Sequence, residues 1–189
     1  PILEVPGFEA DDVIGTISKL AEQSDFNVYM LTPDKDYAQL VSDKVFIYRP
    51  RHGGGYETLD VQGVKDKWGI SSPSQVIDLL GLMGDSSDNI PGCPGVGEKT
   101  AVKLLNDFNS IDNLLNSTDS LKGALKQKII DNCEKIKFSK FLATIRTDVP
   151  IEFEPEKFIL VSPNVVSLCE IFSELEFKSL LKKYSGDKK

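Results

Sequence analysis

Histidine and cysteine are scarce in this 189-residue sequence, with one His at position 52 and three Cys. Cys93, Cys133 and Cys169 stand 40 and 36 residues apart, a spacing that fits neither a zinc site nor a disulfide framework. Free thiols suit a reducing, cytoplasmic setting. A Ser-His-Asp or Cys-His mechanism would depend on His52. That residue lies in RPRHGGGYET, reads as solvent-exposed at a hairpin tip, and has no motif around it. No apolar run approaches the ~18 residues of a membrane span, so no membrane partner is expected. The opening PILEVPGFEADD lacks the basic and apolar regions of a signal peptide. It also lacks an initiator Met, and Pro1 reads as the first residue of a fragment.

What is present is ordinary for a globular chain: 40% hydrophobic and 27% charged residues. The net charge of −7 argues against nucleic acid as a partner if it is spread evenly. The objection weakens if the acids are concentrated. Setting seven of the 29 acids aside leaves as many as the 22 bases, with room for basic patches.

The first half alternates between short apolar runs and helical patterns, which predicts an α/β fold with a parallel sheet. PILEV, FNVYMLT and KVFIYRP read as strands, the second buried on both faces, and RHGGGYETL as a turn with a returning strand. Helical spacing covers 9–24, a short helix begins at DKDYAQLV, and DVQGVKDKWG and PSQVIDLLGLM follow as helices, the latter with Pro73 in its first turn. From Gly84 the patterns are mainly helical, and only TDVPIEF reads as a strand. We therefore expect a core over 1–83 and a helical part over 84–189, the tail SGDKK being a linker.

Three acidic clusters carry the chemistry. FEADD supplies Glu9, Asp11 and Asp12; TPDKD supplies Asp34 and Asp36; GDSSDN supplies Asp85 and Asp88. Alone, each has a plainer reading as a helix cap or an Asx-turn. Position joins the first two. Each follows a predicted strand, and the carboxyl edge of a parallel sheet is where α/β proteins build sites. Like charges ~5 Å apart at an effective dielectric of ~20 repel by about 3 kcal/mol per pair, so such a cluster needs cations. An all-oxygen donor set favours Mg²⁺ or Mn²⁺. Two such ions suit phosphodiester hydrolysis.

PGVGEKTAVKLL places Gly95 and Gly97 before a helix, with Lys99 and Thr100 in its first turn. Glycines allow close backbone approach, and the helix N-terminus offers N–H groups to a phosphate. The spacing matches neither a Walker A loop nor a dinucleotide fingerprint. A plain turn between helices is the simpler reading. A hairpin between QVIDLLGLM and TAVKLL also matches a helix-hairpin-helix, which grips the DNA backbone without reading sequence.

Together, GFEADDVIGT, TPDKDYAQLV, LMGDSSDNIPGCPGVGEKTA and LATIRTDVPIEF resemble the 5′–3′ exonuclease domain of bacterial DNA polymerase I, within the flap endonuclease superfamily. The likeness runs in order from Pro1 to Tyr184. It implies a PIN-like fold with a helix-three-turn-helix (H3TH) module. It implies metal ligation by Glu9, Asp11, Asp12, Asp34, Asp36, Asp85 and Asp88, with Asp34, Asp36, Asp85 and Asp88 catalytic. It implies DNA contact by the hairpin residues Gly92, Gly95, Val96, Gly97, Lys99 and Thr100, with a monovalent cation, K⁺, bound there. The implied substrates are duplex DNA with a 5′ flap or an RNA primer, and a polymerase domain is expected in the same full-length chain.

Pro33 stands where the family has Gly, so the turn into Asp34 is expected to differ while the aspartates keep their places. The family's first central strand, two further metal-binding aspartates and basic helical arch have no counterpart here. The fragment alone is therefore expected to be weak or inactive, with an exposed sheet edge and apolar surface. Two other readings stay open: a non-catalytic binder of DNA structure, and a Mg²⁺-dependent phosphatase with Asp34 as nucleophile. The lysines Lys122, Lys126, Lys128, Lys135, Lys137 and Lys140 form either a solvated face or a DNA contact, and spacing does not choose between them.

Overall fold

The computed structural model describes residues 1–51 and 53–186; His52 and the last three residues of the SGDKK tail lie outside them. Two compact units emerge: Leu3–Phe153, and Pro1–Ile2 together with the chain from Glu154 onward.

In the larger unit, α1 (Ala10–Gln23) leads to β1 (Val28–Leu31), then a 3-10 turn at Asp36–Leu40, β2 (Val45–Pro50), β3 (Tyr56–Leu59) and α2 (Val61–Trp68). Helix α2 has clear stops: the Asp60 side chain accepts from the Gly63 N–H, and Gly69 ends it in the left-handed region. Five helices follow: α3 (Gln75–Met83), α4 (Glu98–Phe108), α5 (Ile111–Asn116), α6 (Gly123–Asp131) and α7 (Cys133–Ala143). Pro73 lies in the turn just before α3. Helix α3 is buried nearly all round and packs against α7, α4 and the 3-10 turn. It joins the sheet side to the helical side in one core, from Met30 and Ile47 through Leu79 and Leu82 to Ile129 and Ile136. In the smaller unit, α8 (Val165–Glu174) and α9 (Lys178–Tyr184) are split by Glu176, whose φ is 56°. The Phe172 ring lies near those of Phe177 and Tyr184.

The α/β expectation stands, with corrections. The sheet has three strands in the order β1-β2-β3; β1 runs parallel to β2, and β3 returns antiparallel. β1 is buried on one face only: Met30 points into the core while Tyr29 and Leu31 are 57% and 69% exposed. The open face carries stacked rings, Tyr29 on Phe46 and Tyr48 on Tyr56. Among the described residues no strand pairs with the other edge of β1. PILEV is not a strand, for the same lack of a partner.

TDVPIEF is not a strand either; side chains hold the backbone of Val149 within it and of the two residues just before it. Arg146 N–H donates to Asp12 Oδ1 at 2.9 Å, Ile145 N–H to Gln39 Oε1 at 2.9 Å, and Val149 N–H to Thr16 Oγ1 at 3.1 Å. Phe153 then meets Phe26 edge-on.

The link from α3 to α4 is built on a backbone crossing. Gly84 and Gly92 both have positive φ, at 75° and 59°. A Cβ on Gly92 would lie 2.3 Å from Gly84 N, and one on Gly84 would lie 2.6 Å from Ile90 O. Two bonds close the loop between them: Asp85 N–H to Ile90 O at 2.9 Å and Ile90 N–H to Asp85 O at 2.7 Å. Gly92 N–H donates to the buried Ser139 Oγ at 3.0 Å, which fixes the crossing to α7. Gly92→Ala should lower the unfolding free energy by about 2–4 kcal/mol, through steric clash and strain. Gly97→Ala, with φ −95° and nothing near its Cβ, should change it by under about 1 kcal/mol. Urea unfolding of both variants checks this; equal losses would mean the crossing is not tight.

Candidate metal centre

Asp85 is the first residue after the crossing glycine, and it is 7% exposed. Ser87 holds one oxygen in an Asx-turn: its N–H reaches Asp85 Oδ1 at 2.9 Å and its hydroxyl donates to the same atom. The other oxygen, Oδ2, is left facing inward. Asp36 opens the 3-10 turn after β1, where the Asp34 Oδ1 accepts its N–H at 3.0 Å. Ligand oxygens of Asp36, Asp85 and Asp88 all lie within 4.8 Å of one another. The geometry of the third cluster differs from the expected helical turn, yet the bridge-closed loop turns both of its aspartates to one place.

The electrostatics of the group are uneven. Burial, with the charges of Asp34, Asp85 and Asp88 adding to it against Lys35, pushes Asp36 up to about 6. Burial works the same way on Asp85, but the contacts of Lys35 and Ser87 outweigh it and hold that carboxyl below the usual range. Lys35, between the two TPDKD aspartates, forms an ion pair with Asp85 Oδ2 and lies 3.8 Å from Asp36 Oδ1. Burial disfavours its charge, but the surrounding carboxylates raise its pKa above the ordinary lysine value.

The remaining predicted acids stand apart from this group. Asp34 is exposed and neighbours it through Asp36. Glu9, Asp11 and Asp12 lie at the start of α1 and are occupied within the protein. Glu9 N–H donates to Asp12 Oδ2 at 3.4 Å, and Asp12 also takes the Arg146 N–H. Asp11 accepts from the buried Tyr37 hydroxyl at 2.8 Å. Burial and that bond together raise the Tyr37 pKa. Lys35, Tyr37, Ser87 and Ser139 were missed as site residues. Only Lys35 had a sequence signal, its place inside the D-x-D.

Two buried side-chain oxygens lack a hydrogen-bond partner among the described residues: Asp36 Oδ1 and Asp85 Oδ2. The Lys35 ammonium forms a close ion pair with the second. Buried acceptors are ordinarily satisfied, and a pair of exceptions facing one space fits a hard divalent cation. The donor set, all oxygen, fits Mg²⁺ or Mn²⁺ better than zinc.

The hairpin begins where the crossing ends. Gly92, Cys93 and Val96 are buried, and Gly95, Gly97 and Lys99 are exposed, with Thr100 between. Val96 N–H bonds to Cys93 O at 3.0 Å, and Gly97 caps α4. Lys128 of α6 leans on Gly95: a Cβ there would sit 2.6 Å from its Nζ. Several neighbouring lysines are committed, Lys126 to Asp119, Lys137 to Glu134, and Lys140 to Asp78 and Asp112. Among the described residues, Lys122, Lys128 and Lys135 form no ion pair with a carboxylate.

Residues 1–69 match the model described as 5′-3′ exonuclease, N-terminal resolvase-like domain, and residues 71–165 match 5′-3′ exonuclease, C-terminal SAM fold. The chain belongs to the 5′-3′ exonuclease family. It is 45% identical over 186 residues to DNA polymerase I of Bacillus subtilis, covering 97% of this chain and 21% of that protein. This exonuclease-family chain thus spans about a fifth of the length of the curated relatives it matches. Its fold is that of the T5 5′-exonuclease with bound zinc ions, at a TM-score of 0.70 and 21% identity over 99% of this chain and 61% of that one. The catalytic core of Rad2 in complex with DNA substrate shares the fold at 0.60 and 15%, over 94% of this chain and 63% of that one.

Asp36 makes the centre pH-sensitive. Its folded pKa lies above the unfolded value of 3.8, so ionisation favours the unfolded chain. The proton's stabilising effect is full below about pH 4 and lost as pH rises through about 6. In EDTA, Asp36→Asn should therefore raise stability by about 1–3 kcal/mol at pH 8, and the gain should vanish near pH 4. Denaturant unfolding across that range checks it; a gain that does not change with pH would rule out the raised pKa.

Proposed function

We propose that this chain is the nuclease part of a DNA polymerase I type enzyme, hydrolysing phosphodiester bonds at 5′ flaps and RNA primers. The observation that carries this reading is the meeting of two buried oxygens, Asp36 Oδ1 and Asp85 Oδ2, that lack hydrogen-bond partners among the described residues, Asp85 standing on the loop that leads into the glycine hairpin. The loop that supplies Asp85 and Asp88 thus runs directly into a surface suited to phosphate.

Asp36, Asp85 and Asp88 would hold the divalent cation, with Asp34 beside them. Glu9, Asp11 and Asp12 would complete a second site from the first turn of α1. When bound, two such cations supply an activated water and a counter-charge for the leaving oxygen. The chain's own residues do the rest. Ser87 orients Asp85, and Asp34 orients the backbone of Asp36. In this reading the part over 1–83 does the chemistry together with Asp85 and Asp88 from the start of the part over 84–189, and the rest of that part grips DNA. The exposed N-terminus of α4, from Gly95 to Thr100, takes backbone phosphates, with Lys99 and Lys128 adding charge. K⁺ at the hairpin belongs to the same proposal, and the Lys128 ammonium that leans on Gly95 would have to swing aside to admit it. A polymerase domain in the full-length chain and a cytoplasmic setting complete it.

The test uses the full-length protein, Mg²⁺ and a 5′-flap duplex. Asp85→Ala should reduce cleavage by about a hundredfold or more while DNA binding persists. Lys99→Ala and Lys128→Ala should each weaken binding without regard to sequence and lower the salt slope by about 1. Cleavage unchanged by Asp85→Ala would remove the acid centre from the reaction. DNA binding without cleavage in the unaltered protein would favour a non-catalytic binder. Hydrolysis of a small phosphate ester through a phosphorylated Asp34 would favour a phosphatase.

A further inference from the structure

Lys35 stands where the acids converge. Its ammonium pairs with Asp85 Oδ2 and lies 3.8 Å from Asp36 Oδ1, the same two buried oxygens that lack hydrogen-bond partners. The carboxylate of Asp88 completes the group around it. The Lys35 side chain is 38% exposed, against 5% for that of Asp85. Its stem therefore reaches inward from solvent, and the charged end can leave without unpacking the core. Asp85 has no such freedom, being fixed by Ser87 and by the loop closure at Ile90.

We propose that Lys35 is the resident counter-ion of the centre: it holds the carboxylates together before a divalent cation enters, and it gives up its place when one does. The inference rests on the reading of the centre as a divalent-cation site. Its physical basis is competition. An ammonium and a divalent cation are both attracted by the same inward-facing oxygens, and like charges exclude one another from one small space. The lysine thus acts in two opposite directions, supporting the metal-free fold and weakening the first step of metal binding. It is a positioning residue, since it acts through the carboxylates.

The probe is Mn²⁺, followed by electron paramagnetic resonance and calorimetry in the full-length protein, with Asp85→Asn subtracting ions bound elsewhere. Lys35→Met should bind Mn²⁺ at the Asp85-dependent site about tenfold more tightly. Its metal-free melting temperature should fall, and saturating Mn²⁺ should restore it. Lys35→Arg, which keeps the charge, should match the unaltered protein in both measurements. Lys35→Gln serves the same purpose as Lys35→Met should the latter fail to fold. A lysine that only props the fold would lose stability and metal affinity together, so tighter binding with a lower metal-free melting temperature is the diagnostic pair. Unchanged or weaker Asp85-dependent Mn²⁺ binding in the neutral variants would overturn the role of Lys35 and leave the metal site standing. No Asp85-dependent Mn²⁺ binding in the unaltered protein would overturn both.

Discussion

The backbone crossing of Gly84 and Gly92 is the constraint on which the rest depends. Two chain segments approach so closely there that neither position has room for a Cβ. The crossing ends α3, sets the direction of Asp85, and starts the hairpin that leads into α4. Ser139 ties it to α7, and Cys93 N–H returns to Leu82 O at 2.8 Å. The acid loop and the glycine hairpin are therefore two sides of one junction rather than two independent loops. Contact with a buried α3 ties that junction to the sheet side.

Electrostatics then decides which acid does what. Asp85 is buried and Asp36 half-buried, and their proton affinities move in opposite directions. Ser87 and Lys35 favour the charged form of Asp85, whereas Asp36 has three carboxylates as neighbours and only a more distant share of Lys35. A buried charge without adequate partners shifts its pKa rather than remain ionised. The centre thus holds one committed anion and one that takes up a proton more readily.

The helices were legible because their signals are local. Asp60 and Gly69 bracket α2, and the helical spacing of α1 places Val13 and Ala21 inward, although Ile14 of the same apolar set is exposed and Thr16 takes an inward place. The strands were less so. TDVPIEF has the composition of a strand, but Thr16 takes the N–H of its Val149, and Asp12 and Gln39 take those of Arg146 and Ile145 just before it, all more than a hundred positions away. FNVYMLT reads as buried on both faces because composition counts apolar residues and cannot tell whether anything covers them. The acids of α1 illustrate the same limit within the site. Their spacing is that of a ligand cluster and also that of a helix cap, and contacts with Arg146 and Tyr37 account for two of them.

By itself the sequence determined the class of fold, the oxygen-only chemistry of the acids and the glycine hairpin, because residue type and short-range spacing carry that information. Tertiary structure alone decided that Asp36 meets Asp85 and Asp88 across some fifty positions, that Lys35 stands among them, and that Lys128 lies over the hairpin. Those facts depend on how α3 packs between the 3-10 turn and α7. Packing is a property of the whole core, and no short stretch of chain encodes it.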